Sequence, residues 1–262
     1  MRYLGSINWS GLGCLSAVLL LWEIGSRSSP LIHLYFPPVS VIVQSLLSLI
    51  FSGELLHYFF VSLGRFLSGY LLSALIAVTL GIILGYSRLA YSLFEVVIEF
   101  LRPMPSVAII PVAILFLGIG SPMIVAVTVY ACTWPILINT MDGVRNIDRT
   151  LIDTGRTFGL GRWMILRKIA LPAASPYVVT GLRISLPIAL ILVTTAEMVV
   201  GGGGLGFFIL DEERSLKTSN MYAGILFVAI LGYGLNRLFL VLESRVMSWH
   251  RGVAARGWYE LA

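Results

Sequence analysis

The chain has 262 residues, 58% of them hydrophobic and only 12% charged, with a mean hydropathy of +0.92 and a net charge of +5. Those proportions exclude an ordinary soluble domain and call for a bilayer, where about 20 apolar residues per span allow roughly five to seven spans in one membrane domain. The two cysteines, Cys14 and Cys132, lie inside apolar runs and exclude a disulfide framework, and the basic residues sit between the runs, where they set topology rather than bind nucleic acid.

From the N-terminus, Arg2 precedes an apolar stretch, Gly11 to Trp22, of the length of a secretory h-region. Glu23 and Arg27 follow with no small-x-small cleavage site, which predicts an uncleaved first span, roughly Leu12 to Ile24. Ser28 to Pro38 is rich in breakers, and Pro37-Pro38 suit the start of a helix. In that helix Val39, Ile42, Val43, Leu46, Leu47 and Ile50 share a face opposite Ser40, Gln44, Ser45 and Ser48, the pattern of a helix lying along the membrane surface. A second span, Phe59 to Tyr86, carries Gly64, Gly69, Gly81 and Gly85, small residues that let helix backbones approach. Tyr91 to Gly118 is an irregular third span that bears Glu95, Glu99 and Arg102 and is interrupted by Pro103, Pro105 and Pro111. A fourth span follows Ser121-Pro122 and runs to about Met141, and a polar, basic stretch from Asp142 to Pro176 comes next. A fifth span (Tyr177 to about Val200), a glycine-rich and acidic connector to Asn220, and a sixth span (Met221 to about Val246) complete an all-α membrane protein of about six transmembrane helices. Its domain organisation is 1–58 for the first span and surface helix, 59–250 for the core with its loop at 142–176, and a short tail, 251–262.

With the N-terminus inside, the inner segments hold Arg2, Arg88, Arg145, Arg149, Arg156, Arg162, Arg167, Lys168, Arg245, Arg251 and Arg256, and the outer connectors hold only Arg27, Arg214 and Lys217. Eleven against three places both termini and the Asp142–Pro176 loop in the cytoplasm.

Asp148 suits the cap of a short helix in which Leu151, Ile152, Gly155 and Phe158 form an apolar edge, ended by Gly159 and Gly161. Two readings fit this loop: a basic segment that only fixes topology, or a docking surface to which its glycines admit another protein. Arg102 also has two. It pairs with Glu99 and Glu95 on its own helix face, or the Pro103/Pro105 break exposes it to a passing anion. Arg183 and Glu197, about 21 Å apart along one helix, cannot pair with each other. Arg183 supports the inner end of its span or snorkels to the interface, and Glu197 belongs near the outer gate. Arg102, Pro103, Pro105, Arg183 and Glu197 are thus the candidates for a translocation path or gate. Gly201 to Gly206 follows a span rather than a strand, so it is an outer hinge and not a nucleotide fingerprint. Asp211, Glu212 and Glu213 form a solvated acidic turn or meet a basic partner. His33, His57 and His250 lack metal-ligand spacing, and no glycine-rich loop ends in Lys-Ser/Thr, so the chain is expected to hold no metal, no cofactor and no ATPase site. Nor do its scattered acids, bases and histidines form the converging set an enzyme needs.

The segment Asp153-Thr154-Gly155-Arg156-Thr157-Phe158-Gly159, then nine residues, then Ile169-Ala170-Leu171-Pro172 resembles the EAA signature of the permease subunits of bacterial ATP-binding-cassette (ABC) importers. Phe36-Pro37-Pro38-Val39-Ser40, Ser62-Leu63-Gly64-Arg65, Leu101-Arg102-Pro103-Met104-Pro105, Phe116-Leu117-Gly118-Ile119-Gly120, Leu171 to Tyr177, Thr180-Gly181-Leu182-Arg183-Ile184 and Gly204-Leu205-Gly206 look, in order and separation, like blocks of the alkanesulfonate, taurine and nitrate importer permeases. The resemblance implies the type I importer permease architecture, with a periplasmic-side surface helix and a cytoplasmic coupling helix. It puts Asp153 at the motif Glu, Thr154 and Gly155 at the two Ala positions and Gly159 at the motif Gly, with Phe158, Leu171 and Pro172 completing the ATPase-coupling set. Asp153 is shorter than Glu, and Gly155 weakens helix propensity by about 1 kcal/mol relative to Ala. Further implied are a second copy of the chain, two ABC ATPase subunits that hold the ATP and Mg, a soluble or lipid-anchored substrate-binding protein, and a place in the bacterial inner membrane. The implied cargo is a small anion: a sulfonate such as an alkanesulfonate or taurine first, then nitrate, bicarbonate or an aromatic carboxylate. An ATP-independent secondary transporter would also be helical and glycine-rich, but has no need of the EAA spacing.

Overall fold

A computed structural model describes residues 9–247, so Arg2, His250, Arg251, Arg256 and the 251–262 tail lie outside the described residues. The chain order is α1 (Trp9–Ser26), α2 (Pro30–Tyr35), α3 (Val39–Phe51), α4 (Glu54–Tyr86), α5 (Arg88–Leu101), a 3-10 turn (Ser106–Ile109), α6 (Ile110–Leu117), α7 (Ser121–Arg145), α8 (Arg149–Thr157), α9 (Arg162–Ile165), a π-helical turn (Leu166–Ala170), α10 (Leu171–Val200), α11 (Leu205–Arg214) and α12 (Thr218–Val246). No strand occurs among the described residues.

The frame is α4, α7 and α10, and small residues set its spacing. A Cβ on Gly81 would stand 2.6 Å from Thr140 Cβ, and one on Gly85 2.7 Å from Val144 Cβ, so α4 and α7 touch backbone to side chain. The two contacts advance together along both helices, which makes α4 and α7 parallel. From α10, Gly181 meets Ile136 and Tyr177 meets Gly143, so α10 runs antiparallel to them. Met123, Ile124, Cys132, Ile136, Ala189, Val193 and Ala196 are buried between these helices. Gly64, expected to share this role, faces open space.

The third span is two helices, α5 and the Ser106–Leu117 segment, bent by 91° about Arg102–Pro105. Pro103 and Pro105 cannot donate backbone hydrogen bonds there. Tyr130 from α7 donates to the Leu101 carbonyl (2.6 Å) and satisfies an acceptor at the break. Counted as one, this pair joins α1, α4, α7, α10 and α12 as the long apolar elements expected from the sequence. The apolar stretch Ile32–Phe51 is also long enough to cross, but it is broken between α2 and α3 at Phe36–Pro38. Its 13-residue α3 extends only about 20 Å, short of a hydrocarbon core of about 30 Å.

Instead α3 packs at the end of the bundle where α10 gives way to α11. Ile42, Leu46 and Leu49 lie buried there with Leu55, Leu205, Phe208, Ile209 and Ala223. The packed face is turned from the expected one: Leu49 is in, whereas Val43 and Leu47 are 41% and 49% exposed. A 3.6-residue period admits either face, and docking against α11 and α12 selects one. Glu23 fixes the approach, accepting hydrogen bonds from the Ser40 amide (3.1 Å) and hydroxyl (2.8 Å) at the start of α3.

Candidate functional site

Functional side chains gather at both ends of the frame. At the loop end, Asp148 caps α8 as expected, its carboxylate accepting the Thr150 N–H at 2.8 Å. That backbone hydrogen bond, reinforced by the Thr150 hydroxyl, holds the Asp148 carboxyl below the usual carboxylate range. Gly159 stops the helix with a left-handed φ of +73°. The Leu160 amide then bonds the Gly155 carbonyl and the Gly159 amide bonds Arg156, a complete Schellman closure.

The expected apolar edge of α8 is split between two surroundings. Gly155 is buried, since a Cβ there would lie 2.6 Å from Ile169 Cδ1, and Ile152 packs toward Val144, Ile147, Ala170 and Ala174. Leu151 and Phe158 point outward, 49% and 79% exposed, and Trp163 on α9 is 74% exposed. Thr154 is exposed, and Asp153 forms an exposed ion pair with Arg156 (3.2 Å). Leu171 and Pro172 are not on α8 but open α10. Pro172 has no N–H to give the carbonyl four residues back, and the preceding turn is π-helical, with the Leu171 amide bonded to Leu166. Ile169, inside this turn, is the residue that contacts Gly155.

At the opposite end, Glu197 is fully buried. Its carboxylate accepts from Arg65 Nη1 (2.9 Å), the Ser62 hydroxyl (2.7 and 2.9 Å) and the Gly206 amide (3.0 Å). Arg65, 7% exposed, also donates to the Gly203 carbonyl (2.7 Å) and to Ser121 Oγ (3.0 Å). The Ser62 hydroxyl accepts the Leu205 amide (2.7 Å). Gly201 to Gly204 all take positive φ, and a Cβ on Gly204 would collide with the Glu197 carboxylate. One carboxylate thus joins α4, α10, the glycine run and the start of α11. Arg65 and Ser62 were absent from the expected site. Glu212 is also turned inward, held by Asn220 (2.7 Å) and Lys217 (3.5 Å), which leaves only Asp211 and Glu213 of the acidic turn exposed.

The remaining candidates lie midway between the ends. Arg102 forms no ion pair with Glu99 or Glu95; it, Pro103 and Pro105 are exposed at the break. Arg183 is exposed too, without an ion pair among the described residues, and sits near mid-height of the bundle rather than beside the loop. Leu101 meets α7 at Tyr130 and Ser185 meets it at Cys132, so the two arginines lie within a turn or two of one depth, near the middle of α7. Among the described residues no group of three or more His, Cys, Asp or Glu could hold a metal ion.

A model of the family described as binding-protein-dependent transport system inner membrane component matches residues 77–248. The chain is 35% identical to a nitrate import permease of Leptolyngbya laminosa, over 71% of this chain and 67% of that one. It is 28% identical to a putative aliphatic sulfonates transport permease of Bacillus subtilis, over 91% and 87% of the two chains. An inward-facing structure of the MetNI methionine ABC transporter superposes with a TM-score of 0.59 at 22% identity, over 73% of this chain and 94% of that one, a likeness of fold.

Proposed function

The chain belongs to the binding-protein-dependent transport system inner membrane components, the permease subunits of ABC importers, and from that premise we propose that two copies of it form an ATP-driven pathway importing a small anion, a sulfonate such as an alkanesulfonate or taurine before nitrate, bicarbonate or an aromatic carboxylate. It is a transport subunit of the inner membrane, not an enzyme. The reading has the loop end in the cytoplasm with both termini, each α8 seated on one of two separate ATPase subunits that carry the ATP and Mg, and a substrate-binding protein at the glycine-run end.

The observation that carries it is α8. A helix capped at both ends, in a basic polar loop, presents Leu151 and Phe158 bare. Apolar residues gathered outside the bundle mark an interaction surface. Ile169 in the π-helical turn links this helix through Gly155 to the foot of α10, so a push on α8 reaches the span directly.

Cargo sign follows from Arg102 and Arg183. An arginine at mid-bilayer costs about 2.5 to 3.5 kcal/mol on insertion scales, so two unpaired ones favour a wet, shared cavity over lipid. A second copy facing them makes such a cavity. ATP-driven closure of the ATPases moves the two α8 helices together and opens the cavity outward; release of the ATPases returns it inward.

The test is the ATPase rate of the permease–ATPase complex in lipid, with and without substrate-loaded binding protein, for wild type and Gly159→Arg. Stimulation by the loaded binding protein that is lost in the variant is the expected result. Anion flux that persists without ATP would overturn the reading.

A further inference from the structure

A cavity of about 1030 Å³ opens at the loop end of the bundle. Its wall carries Arg88, Arg145, Arg149, Arg156 and Arg162, drawn from α5, α7, α8 and α9, and among the described residues no carboxylate lines it. Among the described residues only Arg156 of these five has an acidic partner, the exposed Asp153, and Arg88, Arg149 and Arg162 have no ion pair. Arg145 is stacked on the Tyr91 ring, 3.6 Å from its centroid. Topology asks for basic residues in an inner loop, but not for guanidinium groups from four helices around one concavity. Like charges converging in a recess repel unless an anion sits among them. α5 also begins at this wall, with Arg88 as its first residue, which adds the positive end of its dipole, while the start of α8 is already capped by the Asp148 carboxylate.

We propose that this cavity binds the phosphate group of an anionic phospholipid. Guanidinium forks match phosphate oxygens in geometry as well as charge, and basic recesses at the cytoplasmic ends of membrane helices suit such headgroups. The lipid, rather than free phosphate, is the source because of what surrounds the cavity. α5, which supplies Arg88 and Tyr91 to the wall, carries Leu89 and Leu93 bare on its outside, 72% and 68% exposed, as a track for acyl chains. The exposed Trp163 beside Arg162 fits the depth of headgroups. Since Arg149 and Arg156 belong to α8, the lipid tethers the proposed docking helix to the bilayer surface. This site is independent of the cargo, and its binding is read on the permease alone, so its failure and that of the importer reading are separable.

The full-length chain, purified in detergent, is incubated with phosphatidylglycerol, phosphatidylcholine or inorganic pyrophosphate, and retained ligand is counted by native mass spectrometry. We expect phosphatidylglycerol to be retained in preference to phosphatidylcholine and to be displaced by pyrophosphate. The triple variant Arg88→Gln/Arg149→Gln/Arg162→Gln should weaken retention by about 100-fold with an unchanged melting temperature. The single reversals Arg149→Glu and Arg162→Glu, on exposed side chains, report the same loss should the triple variant fold poorly. Equal retention of both lipids, or wild-type retention in the variants, overturns the site. Pyrophosphate binding without lipid preference keeps the phosphate chemistry and overturns the lipid source.

Discussion

Glu197 answers three donors through four hydrogen bonds, and its removal takes that acceptor from all three. Arg65, Ser62 and the Gly206 amide would remain buried without their acceptor. Breaking a buried pair from one side costs about 3 to 5 kcal/mol, so Glu197→Ala should unfold at a markedly lower temperature in detergent, while Glu197→Gln, which keeps an oxygen for Ser62 and Gly206, should lose less. A melting curve for Glu197→Ala that overlays wild type would remove the structural role. Gly155 carries the opposite expectation. A Cβ there is crowded only by Ile169 Cδ1, the tip of a flexible side chain, with Ile165 and Leu160 at ordinary contact distance, and Ala gains about 1 kcal/mol of helix propensity over Gly. Gly155→Ala should therefore fold at least as well as wild type and still couple, whereas Gly155→Phe should dislodge α8 and abolish stimulation of the ATPase. The sequence offered Glu197 as a charge in a span but not its partner. Arg65 stood in the sequence only within the Ser62-Leu63-Gly64-Arg65 block, and only the packing of α4 on α10 reveals the pair.

At the scale of elements, α8 was legible because its signals are local: a capping Asp148, a closing Gly159 and apolar residues at helical spacing. What spacing could not decide is which apolar residues turn inward. Ile152 and Gly155 face the foot of α10, leaving Leu151 and Phe158 for a partner. Leu151→Asp and Phe158→Asp should therefore reduce co-purification of the ATPase at least tenfold while shifting stability by no more than about 0.5 kcal/mol, the usual limit for exposed sites. A pull-down with undiminished ATPase would put the interface elsewhere. The same limit on local pattern explains α3, whose period was visible but whose face was set by α11 and α12. The Arg102–Pro105 break was marked by its prolines, yet the expected Arg102–Glu99 pair failed to form, since helical spacing brings side chains near without fixing their rotamers.

For the molecule as a whole, the six-span order followed from apolar runs and breakers, whereas the depth of Arg183 did not, because depth depends on how far α10 continues below the bundle. Among the described residues Arg102 and Arg183 form no ion pair, so Arg102→Leu and Arg183→Leu should leave the melting temperature and the proposed dimer intact while uptake of the proposed anion is lost. Retained uptake would exclude them from the pathway, and a broken dimer would make them structural. The buried pair between Arg65 and Glu197 also bears on how the protein is made. Its partners are 132 residues apart. At about 5 to 20 residues per second the ribosome delivers Glu197 roughly 7 to 26 s after Arg65. During that interval α4 is in the bilayer with its arginine unmatched, and the glycine run that folds over the carboxylate does not yet exist. Assembly of the frame therefore waits for α10, and a nascent chain released before Val200 has no means of closing its glycine-run end.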